Sequence, residues 1–230
     1  MTDIRWATFD CFGTLVDWRH GIGTSAELLF PGRGEQLLDS YNRHEHEVQA
    51  ESPGMRYREI LAESLRRACR DAGLRLNPDD ASILGCTMPF WPVFADVAAN
   101  LEELRAAGWR LALLTNCDND IIGETQRRLG VPIDAVVTAE AVGAYKPAHH
   151  HFTRFEESFG ATRDRWVHVA QSYFHDMVPA SELGIPRVWI NRHSDGSDPS
   201  IADAVRSDLT DLTSTVQAVH AAAVSRPPRG

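Results

Sequence analysis

Cysteine is scarce and scattered. The four residues, Cys11, Cys69, Cys86 and Cys117, form no C-x-x-C pair. That spacing speaks against a disulfide scaffold or a zinc site and fits a reducing compartment. Long hydrophobic runs are missing as well. None approaches the roughly 18 residues that a membrane span needs, and the opening Met1-Thr2-Asp3-Ile4-Arg5-Trp6 does not read as a signal peptide. There is no basic block either. With 23 Lys and Arg against 32 Asp and Glu, the formal net charge is −9, which argues against nucleic acid as the main partner. The expectation is a cytoplasmic protein that works with neither nucleic acid nor membrane. What the chain does have is length. At 230 residues, against about 150 per domain, it is one large domain or one domain with an insertion, with room for a sizeable core.

The patterning divides in two. Ile4 to Phe9 reads as a short buried strand, broken by Asp10 and Gly13. From about Val16 to Ala95 strand signals nearly vanish. Tyr57, Ile60, Leu61, Ser64, Leu65 and Ala68 fall at helical spacing, with Arg58, Glu59, Glu63 and Arg66 on the other face. Ala26–Phe30 and Leu37–Val48 read as further helices separated by Pro31-Gly32-Arg33-Gly34, and Asn77-Pro78-Asp79-Asp80 reads as a helix start. Beyond Val97 the rhythm changes. Helices Val97–Ala107, Ile121–Leu129, Ala148–Phe159 and Val178–Leu183 are each closed by a glycine or stopped near one. They alternate with strands Trp109–Thr115, Ala135–Thr138, Trp166–Ala170 and Arg187–Ile190. Such alternation predicts an α/β fold, a Rossmann-like parallel sheet with helices on both faces. The core then takes residues 1–16 and 97–230, with an all-helical cap, 17–96, inserted after the first strand. The tail, Ser225 to Gly230, is expected to be disordered.

Open parallel sheets bind ligands beyond the carboxyl ends of their strands. Polar residues cluster at those ends: Asp10, Thr115 with Asn116, Lys146, and the stretch Gln171 to Asp176. A carboxylate presented on a turn after a buried strand can act as a nucleophile, although a lone Asp in such a place is more often a turn or helix cap.

Four motifs in order shift that balance: Phe9-Asp10-Cys11-Phe12-Gly13-Thr14-Leu15, Leu113-Leu114-Thr115-Asn116, Tyr145-Lys146-Pro147, and Val169-Ala170-Gln171-Ser172-Tyr173-Phe174-His175-Asp176. Together they resemble the haloacid dehalogenase superfamily, most closely its L-2-haloacid dehalogenase branch, over nearly the whole chain. The resemblance implies that Asp10 attacks a substrate carbon and forms an ester, which water hydrolyses at the aspartyl carbonyl. It implies that Lys146 holds Asp10 ionised, since a nearby ammonium lowers a carboxylate's pKa, and that Asp176 completes the catalytic set. Thr14, Thr115 and Asn116 would hydrogen-bond the Asp10 carboxylate or the substrate; strand-end and turn capping is the plain alternative.

The shell around that set departs from the resemblance. The family's cap arginine, which assists the departing halide, falls on Asn42. Arg43 is next door, but one residue along a helix is a rotation of about 100°. The tyrosine six residues past the lysine falls on Phe152, and the serine and asparagine of the fourth motif fall on Gln171 and Tyr173, on either side of Ser172. In the phosphatase branch an aspartate two residues after the nucleophile protonates the leaving alcohol. Phe12 stands there, and Gln171 replaces a metal-binding acid, so no metal and no cofactor is expected. His149, His150 and His151 are consecutive and cannot share one helix face. His44 and His46 flank the vacated arginine position. Trp18 and Trp91 read first as core residues and second as pocket walls.

The function implied is a hydrolase that displaces a leaving group from the α-carbon of a small carboxylic acid, with a 2-haloacid as the first substrate. Next comes a related acid with a non-halide leaving group, of the azetidine-2-carboxylate kind, because an arginine would repel a departing nitrogen. A magnesium-dependent phosphatase and a non-catalytic binding protein follow. A homodimer is compatible with the chain.

Overall fold

In the computed structural model, which describes residues 4–225, the apolar runs become a parallel sheet. Its strands are β1 (Arg5–Phe9), β2 (Trp109–Thr115), β3 (Ala135–Thr138), β4 (Trp166–Ala170), β5 (Arg187–Ile190) and β6 (Ala204–Arg206). The order across the sheet is β3-β2-β1-β4-β5-β6, and every pairing is parallel. After β3 the chain crosses from one side of β1 to the other, so the strand order reverses between β1 and β4. That reversal opens a crevice at the carboxyl ends of these strands.

The helices are α1 (Trp18–Leu29), α2 (Gly34–Glu51), α3 (Tyr57–Asp71), α4 (Ile83–Thr87), α5 (Val97–Ala106), α6 (Asn119–Thr125), α7 (Ala139–Val142), α8 (His150–Phe159), α9 (Val178–Glu182) and α10 (Leu212–Val224). Alternate residues of β2 show how the sheet is covered. Leu111 and Leu113 face a cluster with Val97, Leu101 and Leu104 of α5 and Val216 of α10. Ala112 and Leu114 face a second cluster with Phe152 and Phe155 of α8 and Ala180 of α9. Burial on both faces is why these strands read as continuous apolar runs rather than as alternation. Each fully buried Leu contributes about 1.5–3 kcal/mol.

Helices α1 to α4 lie between β1 and α5. Val16 bridges to Phe12 and to Val93, so the outgoing and returning chains meet at one point. A second tie comes from Asp118, buried just beyond β2. Its carboxylate accepts the backbone N–H groups of Tyr57 at 2.9 Å and Arg58 at 3.2 Å, capping α3 from the sheet side. The Arg58 guanidinium pairs with both Asp118 and Asp120.

The structure moves several boundaries. Periodicity places a helix at Ala26–Phe30, but α1 begins at Trp18, where Asp17 caps it by accepting from His20 N at 3.0 Å. Gly21 lies so close to Trp91 that a Cβ there would fall 2.2 Å from the indole ring. Close packing thus overrides the poor helix propensity of glycine. The helix expected over Ile121–Leu129 starts at Asn119 and tightens into a 3₁₀ turn at Gln126–Arg128. The start at Asn77 leads into a 3₁₀ turn, Pro78–Ser82, before α4. Strand β6 and helix α10 carry no strong pattern in the sequence. Of the tail expected to be irregular, residues 226–230 lie outside the described residues. Among the described residues, no helix is long and apolar enough to cross a membrane.

Candidate active site

Asp10 follows the last residue of β1, and its backbone N–H is fixed on Val169 O of β4 at 3.2 Å. The chain then turns sharply through Gly13, at φ +106°, where a Cβ would lie 2.8 Å from Gln171 Oε1. Only glycine fits that turn. The turn brings Thr14 back over Asp10: its hydroxyl donates to Asp10 Oδ2 at 3.1 Å and accepts Gln171 N at 2.9 Å. Thr14 therefore links the first motif to the fourth.

Lys146 is 1% exposed and reaches the same crevice from the loop after α7. Its ammonium donates to Asp10 Oδ1 at 3.0 Å, Asp176 Oδ1 at 2.6 Å and Leu114 O at 2.8 Å. All three ammonium hydrogens are used, so the group acts as a fixed charge. Asp176 is wholly buried on a π-helical turn, Tyr173–Met177, whose first residue follows the Ser172 cap. Asp176 Oδ1 also meets His168 Nε2 at 3.0 Å, while no group donates to Oδ2 among the described residues.

These contacts set the charges. Burial raises the Asp176 pKa, but the Lys146 ammonium and His168 more than offset it and hold the group at about 2. Asp10 moves the other way. Burial pushes its pKa up, Lys146 pulls it down, Asp176 raises it again, and the net direction is up. Lys146 does lower Asp10, as expected, but desolvation outweighs the ammonium. Lys146 loses from burial but gains more from the two carboxylates, so its pKa is raised and it stays charged.

The remaining residues split. A cavity of about 390 Å³ is lined by Asp10, Phe12, Asn42, Thr115, Asn116, Lys146, Gln171, Ser172, Tyr173 and Asp176, together with Trp18 and Trp91. Both tryptophans are therefore cavity walls, and Trp91 packs edge-on to Phe12 at 6.0 Å while belonging to the core. Asn116 does not touch Asp10: its amide bonds the Lys146 main chain both ways, at 2.7 and 3.1 Å, and so positions the lysine. Among the described residues, Thr115 Oγ1 has no hydrogen-bond partner. Ser172 accepts His175 N at 3.1 Å, closing the π-helical turn. Tyr173 rests on Trp189 at 5.4 Å.

On the helical side, Asn42, Glu45, His46, Gln49 and Tyr57 face the cavity. Arg43 does not; it is exposed and donates to Asp39 O. His44 is held away by Glu47 and Asp71 at 2.9 and 2.7 Å. His46 stacks on His175 at 5.0 Å, and burial lowers the His175 pKa to about 3. Glu45 is half-buried, accepts from Tyr57 Oη at 2.6 Å and from Gln49 Nε2 at 3.2 Å, and its pKa is raised by burial. Four of these participants were not read from the sequence: His168, Glu45, Gln49 and Tyr57. The signal for His168 was a lone imidazole in the apolar run Trp166-Val167-His168-Val169-Ala170. Glu45, Gln49 and Tyr57 give none, because a Glu, a Gln and a Tyr on helices are ordinary. Of the three consecutive histidines, His149 meets Glu182 at 2.8 Å, His150 is exposed and His151 is buried against Thr115 O at 3.1 Å.

The donor set does not suit a magnesium ion. Both carboxylates are bridged by an ammonium, position 12 offers a phenyl ring and position 171 an amide. Among the described residues, no cluster of three or more His, Cys, Asp or Glu is arranged to hold a metal.

Comparison with known proteins identifies the family. A family model described as haloacid dehalogenase-like hydrolase matches residues 4–177. An (S)-2-haloacid dehalogenase of Pseudomonas sp. strain YL is 27% identical over 198 residues, 84% of either chain. A haloacetate dehalogenase of Moraxella sp. strain B is 26% identical over 201 residues, 84% of this chain and 88% of the relative. The crystal structure of an L-2-haloacid dehalogenase superposes with a TM-score of 0.84 at 25% identity, covering 94% of this chain and all of the other. That of the Xanthobacter autotrophicus L-2-haloacid dehalogenase gives 0.82 at 22% identity over 93% and 98%, a likeness of fold.

Proposed function

The chain belongs to the haloacid dehalogenase-like hydrolases, and we propose that it hydrolyses the bond between the α-carbon of a small 2-substituted carboxylic acid and its leaving group, with a 2-haloacid as first substrate. The observation that carries this reading is the Asp10–Lys146–Asp176 cluster at the strand-order reversal, with two ion-pair contacts of 3.0 and 2.6 Å. In the first step an Asp10 carboxylate oxygen attacks the α-carbon. The carbon–halogen bond breaks and the electron pair leaves with the halide. In the second step water attacks the Asp10 carbonyl carbon and the acyl–oxygen bond breaks; the product oxygen takes one of the water's protons and the other is released to solvent, which returns Asp10 as a carboxylate. Lys146 holds Oδ1 and Thr14 holds Oδ2, so whichever oxygen does not carry the ester has a donor placed to stabilise the oxyanion of that second step. The helical stretch 17–96 acts as a cap, supplying Asn42, Glu45 and Trp91 to the cavity roof.

The relatives named above support the haloacid. One observation favours a second reading, a substrate whose leaving group is a nitrogen: Asn42 and the Glu45 carboxylate line the cap wall where a cation would assist a halide. A phosphatase is disfavoured by Phe12 and Gln171. A single turnover in heavy-oxygen water, with enzyme in excess, tests the mechanism for whichever acid is turned over. The covalent route leaves the label on Asp10 and transfers a protein oxygen to product. Label found only in the product ends it. Screening 2-haloacids, azetidine-type acids and phosphomonoesters, with and without magnesium, decides the substrate.

A further inference from the structure

Beneath the cavity floor a chain of buried polar groups runs through the sheet. Trp166 Nε1 lies 2.6 Å from Thr8 Oγ1, Thr8 Oγ1 lies 2.9 Å from His168 Nδ1, and His168 Nε2 lies 3.0 Å from Asp176 Oδ1. Thr8 and His168 are register partners on β1 and β4, and both are 0% exposed. The direction of the chain follows from what each group can do. An indole N–H only donates, so Thr8 Oγ1 accepts from Trp166. The Thr8 hydroxyl hydrogen then has one buried acceptor, His168 Nδ1. That leaves the proton on Nε2, where the facing group is an ionised carboxylate that accepts.

Asp176 Oδ1 consequently takes two donors, the Lys146 ammonium and His168 Nε2–H, while Oδ2 takes none among the described residues. We propose that His168 is a positioning residue for ester hydrolysis: by sharing Oδ1 with Lys146 it fixes the rotation of the Asp176 carboxylate, so that Oδ2, buried and without a donor in the free enzyme, is left to accept from the attacking water once the ester has formed. The proposal rests on the Asp10-ester reading and adds to it the group that orients Asp176. His168 touches neither substrate nor the reacting atoms. Its influence passes through Asp176, and Trp166 and Thr8 hold it in one tautomer.

Two measurements test this, and the first needs no substrate. Nitrogen-15 NMR of the imidazoles in the intact protein at neutral pH is expected to show His168 protonated on Nε2 and bare on Nδ1. A proton on Nδ1, alone or together with Nε2, overturns the assignment. The second is rapid-quench kinetics on His168→Leu and His168→Gln. Ester formation at Asp10 should stay near the parent rate in both. Ester hydrolysis in His168→Leu should slow about tenfold or more, the scale of one hydrogen bond to a charged group, so that the ester accumulates and is seen by mass spectrometry. His168→Gln, whose amide can still donate, should recover most of the loss. Equal slowing of both steps marks a merely structural role and overturns the proposal, as does unchanged hydrolysis. If His168→Leu does not fold, His168→Gln and Thr8→Val carry the kinetic test, with Thr8→Val expected to slow hydrolysis alone. An ester that forms but is hydrolysed normally defeats the role of His168; no ester at all defeats the reading beneath it.

Discussion

Replacing Lys146 by methionine removes the charge at the centre of the site and leaves both carboxylates in place. Three hydrogen bonds are lost, at 2.6, 2.8 and 3.0 Å, and Asp10 and Asp176 are left buried without a counter-ion. Removing one partner of a buried ion pair costs about 3–5 kcal/mol. At this chain length 1 kcal/mol moves Tm by about 2–4 °C, so the expected fall at neutral pH is about 6–20 °C. The pH dependence separates this cause from loss of packing. In the parent, Asp176 titrates at about 2, below its unfolded value of about 3.9. It therefore contributes about 2–3 kcal/mol that is present above its unfolded pKa and is lost as pH falls toward 2. In the variant both carboxylates titrate above their unfolded values, so its stability declines as pH rises through that interval. The gap between parent and variant should be widest near pH 7 and should narrow below about pH 4. Urea unfolding followed by circular dichroism across that range measures it. A gap that does not change with pH, or an unchanged Tm at neutral pH, refutes the electrostatic account of the site.

Asp10→Asn should abolish turnover without loss of stability, because the raised Asp10 pKa means that the ionised carboxylate works against folding at neutral pH; a Tm lower by the about 2–4 °C that 1 kcal/mol is worth would contradict this. Turnover should be indifferent to chelator and to added magnesium, since Phe12 and Gln171 leave too few hard oxygen ligands; activity abolished by chelator and restored by magnesium would replace this chemistry with phosphoryl transfer. Asn42→Arg should separate the two substrate readings: kcat/KM should rise about tenfold for a 2-haloacid and fall for an acid with a basic nitrogen. Movement of both in the same direction would show that position 42 does not face the leaving group.

How much of this was legible in the sequence depends on whether the signal was local. The parallel sheet was readable because its strands are buried on both faces, which writes each as an unbroken apolar run such as Leu111–Leu114. Asp10, Lys146 and Asp176 were readable because each falls in a short motif after a strand. The start of α1 was not, because Gly21 and Gly23 speak against a helix and only the contact of Gly21 with Trp91 explains it. The π-helical turn at Tyr173–Met177 leaves no pattern, although it carries Asp176. The electrostatics were the least legible. A lysine beside a carboxylate suggests a lowered pKa, but the sign at Asp10 is decided by its burial and by Asp176 on the far side of the same ammonium. Two carboxylates sharing one ammonium cannot both be stabilised in full, and the one that also meets His168 holds its charge more firmly. Asp10 keeps the less stabilised charge, and in an enclosed site that is the carboxylate better suited to attack carbon.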